Sequence, residues 1–314
     1  MREGHGRDGL LGVRSNRRGR FPAPAPVAPP LQPPPSKRPD EAPFLGVGVG
    51  LRPVHYAEIF ERAREGTLGV DWFEILSENF MVPGGKPLRM LEAVCSERPV
   101  VMHGVSLNIG SVDSLDAKYL DELAGLAERT QPQWISDHLC WTGVSRHPLH
   151  DLIPLPYTEE AIRHVASRVR AVQDRLARRI ALENVSSYMS FATDAMSEWA
   201  FLVHVAEEAD CGILLDVNNV FVSAHNHGFD ATEYIDAIPP ERVFHIHLAG
   251  HSESPPLLID THDHPVRDEV WDLYEYTLRR LGPVSTSIEW DDQIPPFSRL
   301  LEEVDRTRKT LEKL

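Results

Sequence analysis

The stretch that decides the fold is ILLDVNN, residues 213–219, in which a short apolar run ends in an acidic residue and is followed by polar side chains. The same kind of run returns eight times after residue 43, and polar stretches with apolar residues every three to four positions lie between the runs. Thr158 before Glu159 and Gly282 after Leu281 are start and stop signals for two of these helices. The eight apolar runs are 45–51, 72–76, 100–103, 134–139, 180–182, 213–215, 243–248 and 284–288.

Alternating strands and helices with apolar strands predict a parallel sheet covered by helices. Eight such units within residues 44–314 favour an α/β fold of the closed (β/α)8 TIM-barrel type over an open doubly wound sheet. The open fold usually carries a G-x-G-x-x-G turn after its first strand, whereas the glycines of GVGVG at 46–50 have the wrong spacing. We interpret those glycines as space for neighbouring side chains in a crowded barrel strand.

The chain has 314 residues and a formal net charge of -15, which argues against nucleic acid as the main partner. Its three cysteines form no C-x-x-C pair, so reduced thiols in a cytoplasmic protein are expected. No apolar run is long enough to span a membrane. Residues 1–43 differ from the rest, with ten of the 26 prolines and eight basic against four acidic residues. This composition predicts a disordered tail ahead of a barrel domain at 44–314.

The functional residues of this barrel fold lie at the carboxyl ends of the strands and in the loops that follow. Every predicted strand has an ionisable residue at that end, and the loop after the seventh strand adds more. Unpaired carboxylates are rare so close to buried strands, and many of them at one place repel unless cations neutralise them. A metal site is therefore predicted at this mouth. The residues in these positions are His55, Glu78, His103, Asp137, Glu183, Asp216, His247, Glu289, Asp260, His262, Asp263 and His264.

Some histidines near these positions are weaker candidates for metal ligands. Strand alternation predicts that His138 points away from Asp137 and that His245 points away from His247, so both are left out of the ligand set. His225 and His227 are expected in a loop. Imidazole with carboxylate and no thiolate suits iron, manganese or zinc.

At these residues the sequence resembles the multinuclear non-haem iron-dependent oxidative enzymes, the family of the iron enzyme of methanobactin biosynthesis. The resemblance runs in order through every predicted strand. The matching segments are GVGLRPVHY at 48–56, SEN at 77–79, HGVSLNIG at 103–110, SDHL at 136–139, LENV at 182–185, LDVNNV at 215–220, IHLAGH at 246–251, IDTHD at 259–263 and IEWD at 288–291.

The resemblance implies a xylose-isomerase-like barrel that holds two or three iron ions and uses O2 as co-substrate. It further implies oxidation of Cys residues in a ribosomally made precursor peptide, often with a small partner protein that presents the peptide. Glu78, Asn184 and Asn219 are second-tier candidates. By position, the metal ligands of the family fall on His55, His103, Asp137, Glu183, Asp216, His247, Asp260, His262 and Glu289.

Two other functions fit the same pattern. One is a different metal-dependent enzyme on this barrel, such as a sugar isomerase or a zinc endonuclease. The other is a protein that binds metal or peptide without catalysis. Metal identity and oxygen consumption distinguish the three.

Overall fold

The computed structural model describes residues 42–145 and 147–314, so the predicted tail lies almost entirely outside the described residues. The strands are β1 Val47–Gly50, β2 Trp72–Leu76, β3 Val100–Gly104, β4 Ile135–His138, β5 Trp141–Val144, β6 His147–Ile153, β7 Ala181–Glu183, β8 Gly212–Asp216, β9 Val243–Leu248, β10 Ser252–Ser254, β11 Leu257–Ile259 and β12 Thr286–Ile288. The helices are α1 Tyr56–Glu65, α2 Lys86–Glu97, α3 Ala117–Thr130, α4 Glu159–Leu176, α5 Glu198–Ala209, α6 Val217–His227, α7 Ala231–Ala237, α8 Asp268–Leu281 and α9 Phe297–Leu311.

The predicted barrel is confirmed. Eight strands close in the order β1-β12-β9-β8-β7-β4-β3-β2, and every neighbouring pair is parallel. Each barrel strand overlaps one of the eight apolar runs, and β3, β7 and β8 extend one residue beyond the carboxyl end of theirs. Two antiparallel hairpins, β5–β6 and β10–β11, are inserted after β4 and β9. Both insertions follow the carboxyl end of a barrel strand, which is the side where this fold builds its functional site.

Local sequence signals explain where individual elements begin and end. The Thr158 hydroxyl accepts a hydrogen bond from the Ala161 backbone N–H and caps the first turn of α4. Gly282, with a φ of 84°, ends α8 where the sequence predicts it. The glycine-rich first strand also matches its interpretation, since a Cβ at Gly48 would overlap the Trp72 indole.

A small cluster closes the barrel at the amino ends of the strands. Trp72, Trp134 and Phe244 pack there with Val101 and Leu214, and all are buried. The three cysteines are free thiols. Among the residues described, the helices are all too short or too polar to cross a membrane.

Candidate metal centre

Strand register brings the ionisable strand ends together. His138 of β4 lies opposite Glu183 of β7, and Asp216 of β8 lies opposite His247 of β9. Because all eight strands run in the same direction, these pairs face one mouth of the barrel. The register brings three of the predicted residues, Glu183, Asp216 and His247, to a single rim, and it adds His138.

The first group consists of His103, His138 and Glu183, all buried. The Nε2 atoms of His103 and His138 lie 3.2 and 3.3 Å from Glu183 Oε2. The other ring nitrogen of each histidine, Nδ1, makes a hydrogen bond that fixes the orientation of the ring. His138 Nδ1 lies 3.1 Å from the Gly104 carbonyl oxygen, and His103 Nδ1 lies 2.9 Å from Ser136 Oγ. A carbonyl oxygen only accepts, so His138 Nδ1 carries the hydrogen and its Nε2 lone pair faces Glu183.

The second group shares Glu183 with the first. It consists of Glu183, Asp216, His247 and Glu289, each of which offers one donor atom within 4.8 Å of the others. His247 Nδ1 lies 2.8 Å from Glu289 Oε2 and 3.4 Å from Glu183 Oε1. Asp216 uses Oδ1 to accept the Asn219 backbone N–H at the start of α6, which leaves Oδ2 for the mouth. Glu183 therefore stands between two sets of donors.

A third group extends the centre toward solvent. His262 Nε2 lies 2.6 Å from Asp260 Oδ1, and its Nδ1 lies 3.2 Å from both Glu289 Oε2 and Asp291 Oδ2. His262 adopts a φ of 46°, an uncommon backbone conformation for a residue with a side chain, and its carbonyl oxygen accepts the Asp291 backbone N–H. The surrounding contacts hold the imidazole against Glu289.

The electrostatics of the centre call for a cation. Burial raises the pKa of Glu183 to about 7 and holds the pKa of Asp216 well above its usual range. Burial also lowers the pKa of His103, which keeps that imidazole neutral. Buried carboxylates that lie close together resist ionisation because each repels the others and none is fully hydrated. Glu289 is the exception, since the His247 and His262 imidazoles that face it hold its pKa well below the usual range despite burial. A bound divalent ion would offset the free-energy cost of ionising these carboxylates.

Unpartnered atoms converge on the same space. Each is buried and makes no well-directed hydrogen bond in the part of the chain that the structure describes. Their close neighbours are other ligand atoms of the three groups, as in the 2.8 Å contact between His247 Nδ1 and Glu289 Oε2. Buried polar atoms without a hydrogen bond are uncommon in native proteins, and a bound ion is one kind of partner that accounts for a cluster of them. The residues present therefore fit a metal centre. The atoms are His103 Nε2, Glu183 Oε2, Asp216 Oδ2, His247 Nδ1, His262 Nε2 and Glu289 Oε2.

Two of the predicted ligands lie outside these groups. His55 is buried, with Nε2 2.8 Å from the Pro295 carbonyl oxygen and its ring packed on Phe297. Asp137 accepts the backbone N–H groups of Leu107 and His138, at 3.2 and 2.8 Å. Its carboxylate thus braces the loop after β3.

The second-tier residues make hydrogen bonds to the backbone segments around the centre. Glu78 Oε1 accepts the backbone N–H groups of Val105 and Ser106 and clamps the loop after β3. The Asn184 side chain bonds both the N–H and the carbonyl oxygen of Asp216, and Asn219 donates to the Asn184 carbonyl oxygen. The two asparagines fix the backbone that carries Asp216.

The structure places two histidines that were left out of the predicted ligand set beside the candidate ligands. His138 belongs to the first group, and His245 shares the Glu74 carboxylate with His247. Residues two apart in a strand face the same side, so the alternation argument failed for His245. At His138 the alternation holds, but it is His138 that faces Glu183, whereas Asp137 turns to the loop after β3.

Other residues were also placed incorrectly or overlooked. His225 and His227 lie in the last turn of α6, whereas the sequence predicted a loop. Glu74 in β2 was overlooked, although a charged residue in the middle of an apolar run is itself a signal. Asp291 was overlooked as a donor, although it stands in one of the matching segments.

A further carboxylate, on a half-buried residue, lies outside the centre at the start of α5. Glu198 accepts hydrogen bonds from the Tyr157 and Ser187 hydroxyls, at 3.2 and 3.3 Å, and lines a small cavity with Tyr234. Burial raises its pKa from 4.5 to about 7. The folded protein therefore holds a proton that the unfolded chain has lost between these pH values, so Glu198 lowers the free energy of unfolding as pH rises through that window.

We accordingly expect Glu198→Gln to raise the free energy of unfolding at pH 8 by about 1–2 kcal/mol, with no gain at pH 4. The measurement is urea denaturation of both proteins from pH 4 to pH 8. An equal difference between the two proteins at every pH would contradict the titration of Glu198.

Comparisons with known proteins identify the family. The family model described as RiPP precursor modification enzyme MbnB/TglH/ChrH matches residues 46–312, which includes every barrel strand and every residue of the three groups. The chain belongs to this family. The resemblance inferred from the strand-end segments is confirmed.

Other proteins that are similar to this MbnB/TglH/ChrH family member align with it over nearly their whole length. A UPF0276 protein of Anaeromyxobacter is 56% identical over 263 residues, which cover 84% of this chain and 92% of the relative. A UPF0276 protein of Caulobacter vibrioides is 53% identical over 266 residues, which cover 85% and 94%.

Solved structures share the fold at much lower identity. D-psicose 3-epimerase from Clostridium cellulolyticum superposes with a TM-score of 0.57 at 12% identity, over 85% of this chain and 99% of the epimerase. Endonuclease IV from Thermus thermophilus gives a TM-score of 0.56 at 18% identity, over 87% of this chain and 100% of that chain. The predicted xylose-isomerase-like barrel is confirmed.

Proposed function

We propose that this protein is an iron-dependent oxidative enzyme that uses O2 to modify a Cys residue of a ribosomally made precursor peptide. The observation that carries the proposal is the set of His103, His138 and Glu183, joined through Glu183 to a second, more acidic group. Two histidines and one carboxylate are the donor set typical of non-haem Fe(II) oxygenases. When bound, iron would supply a site for the substrate thiolate and would pass electrons from the Cys residue that is oxidised to dioxygen.

The protein residues would hold the ions and fix their surroundings. His103, His138 and Glu183 would hold one ion. Glu183, Asp216, His247 and Glu289 would hold a second, with His262, Asp260 and Asp291 beside it as donors for a third. Ser136 and the Gly104 carbonyl oxygen fix two of the imidazoles, so their lone pairs are set before a metal arrives.

Apolar side chains at the rim of the barrel support the proposal of a peptide substrate and a partner protein. Exposed apolar side chains occur in the segments after β1, β3, β4 and β7, on the same side as the proposed centre. Tyr188 is the nearest to the donors, because its hydroxyl accepts the Asp260 backbone N–H at 2.8 Å. Apolar side chains exposed around a site are typical of surfaces that bind another chain. The exposed residues are Val54, Val112, Val144, Leu149, Tyr188 and Met189.

The test combines the protein, purified without oxygen and loaded with Fe(II), with Cys-containing precursor peptides encoded beside its gene and any partner protein encoded there. We expect oxygen consumption and a change in peptide mass located at a Cys residue. A peptide with that Cys replaced by Ser is the control and should stay unmodified. Activity with zinc alone, or iron binding without oxygen uptake for any of these peptides, would contradict the proposal and favour the two rival functions.

A further inference from the structure

Beneath the second group lies a buried pair that none of the proposed metal positions uses. Glu74 stands in the middle of β2 and His245 in β9, and both are buried. Glu74 Oε1 lies 2.9 Å from His247 Nε2, and Glu74 Oε2 lies 3.0 Å from His245 Nε2. A carboxylate on a buried strand carries a large desolvation cost, so its two imidazole partners are its main compensation.

The position of His247 gives this pair a role. The imidazole has two nitrogens, of which Nε2 faces Glu74 and Nδ1 faces Glu289 and Glu183. A carboxylate accepts a hydrogen bond only from a nitrogen that carries hydrogen. With the hydrogen kept on Nε2, Nδ1 is the nitrogen that can give its lone pair to an ion held among the carboxylates of the second group.

His245 holds the carboxylate in place. Its ring packs edge-on against Trp72 at 5.9 Å and lies 5.2 Å from Trp134, so the indoles restrict its rotation. The His245 N–H then holds Glu74 Oε2, and His247 Nε2 lies 3.0 Å from the same oxygen and 2.9 Å from Oε1. The hydrogen bonds run from the tryptophan-lined base of the barrel to the proposed metal ligand.

We propose that Glu74 is a positioning residue that fixes the tautomer and the ring orientation of His247, with His245 as the anchor of the Glu74 carboxylate. The inference rests on the metal centre of the proposed function and deepens it. Metal-bound histidines commonly donate their other N–H to a carboxylate, and loss of that carboxylate weakens metal binding 10- to 100-fold. The alternative is that Glu74, His245 and His247 themselves hold an ion.

The experiment uses zinc as a diamagnetic probe, which needs neither oxygen nor peptide. Zinc equivalents and zinc affinity are measured against a competing chelator for the wild type, Glu74→Gln, Glu74→Leu and His245→Gln. We expect the number of tight equivalents to stay the same in all four proteins. We expect zinc at the second group to bind about 10-fold more weakly in Glu74→Gln and up to about 100-fold more weakly in Glu74→Leu.

A spectroscopic measurement separates positioning from general stability. In zinc-loaded wild-type protein with 15N-labelled histidine, His247 should show Nε2 protonated and Nδ1 bound to zinc. Zinc on His247 Nε2, or loss of one equivalent in both Glu74→Leu and His245→Gln, would show an ion in the inner triad and overturn the inference. Unchanged affinity in both Glu74 variants would also overturn it. Failure of the wild type to bind zinc or Fe(II) would instead refute the metal centre itself.

Discussion

Glu183→Gln is expected to abolish tight metal binding at both groups that meet in the barrel mouth. Glu183 is the one residue that belongs to both the His103–His138 group and the Asp216–His247–Glu289 group. Glutamine keeps the volume but offers one neutral oxygen where two charged ones stood. Loss of a residue that only orients a metal ligand lowers metal affinity 10- to 100-fold. Removal of a ligand shared by two ions should therefore lower metal affinity by more than about 100-fold.

Folding and metal binding respond to Glu183→Gln in opposite directions. Without metal, the substitution removes one of three converging carboxylates and relieves their repulsion, so the metal-free variant should unfold no more easily than the wild type. With metal at 100 times its dissociation constant, the wild type should gain about 2.7 kcal/mol in free energy of unfolding, and the variant should gain almost none.

Thermal denaturation with and without Fe(II), together with metal analysis, measures both effects. Glu128→Gln on the exposed face of α3 is the matched control, because it makes the same chemical change away from the strand ends. The control should keep the wild-type metal content and the wild-type shift in melting temperature. A Glu183→Gln protein that retains full metal content would remove Glu183 from both groups.

The barrel was predictable because its signals are local and repeat. Each apolar run of three to seven residues lies between amphipathic stretches, and this pattern specifies parallel strands without knowledge of which strands are neighbours. The rim was predictable for the same reason, since it depends only on where each strand ends. Asp216 and His247 needed no further information.

The detailed arrangement depends on contacts that no single segment encodes. The Asp137 carboxylate turns to the Leu107 N–H because the β3 loop passes beside it, and His138 then faces Glu183. His55 meets the Pro295 carbonyl oxygen, 240 positions along the chain. Such choices between two nearby partners are set by tertiary packing, and the periodicity of one strand does not contain them.

Gly48→Ala should strongly destabilise the barrel. The Cβ that it adds would lie closer than 3.0 Å to three atoms of the Trp72 indole, which is fully buried and tied by its N–H to the Gly46 carbonyl oxygen. Overpacking of a rigid core costs about 1–3 kcal/mol, and the upper end applies where both partners are fixed. A loss of about 3 kcal/mol corresponds to a melting temperature lower by about 6–12 °C.

Gly125→Ala is the matched control for this substitution. Gly125 lies inside α3 with no atom within 4 Å of the added Cβ, so alanine should raise the free energy of unfolding by about 0.5–1 kcal/mol through its higher helix propensity. Denaturant unfolding of the two variants and the wild type gives both values. Equal stabilities for Gly48→Ala and the wild type would mean that the Trp72 ring moves without cost.

The Gly48→Ala variant also tests whether the base of the barrel controls the proposed centre. Trp72 and Trp134 pack against His245, and His245 holds the carboxylate that faces His247. A displaced indole should therefore disturb His247 as well as the core. We expect zinc affinity, measured well below the melting temperature of the variant, to fall about 10-fold, the low end for a lost orienting contact. Reduced stability with unchanged zinc affinity would confine the effect to packing, because a folded variant would then hold its histidines as the wild type does.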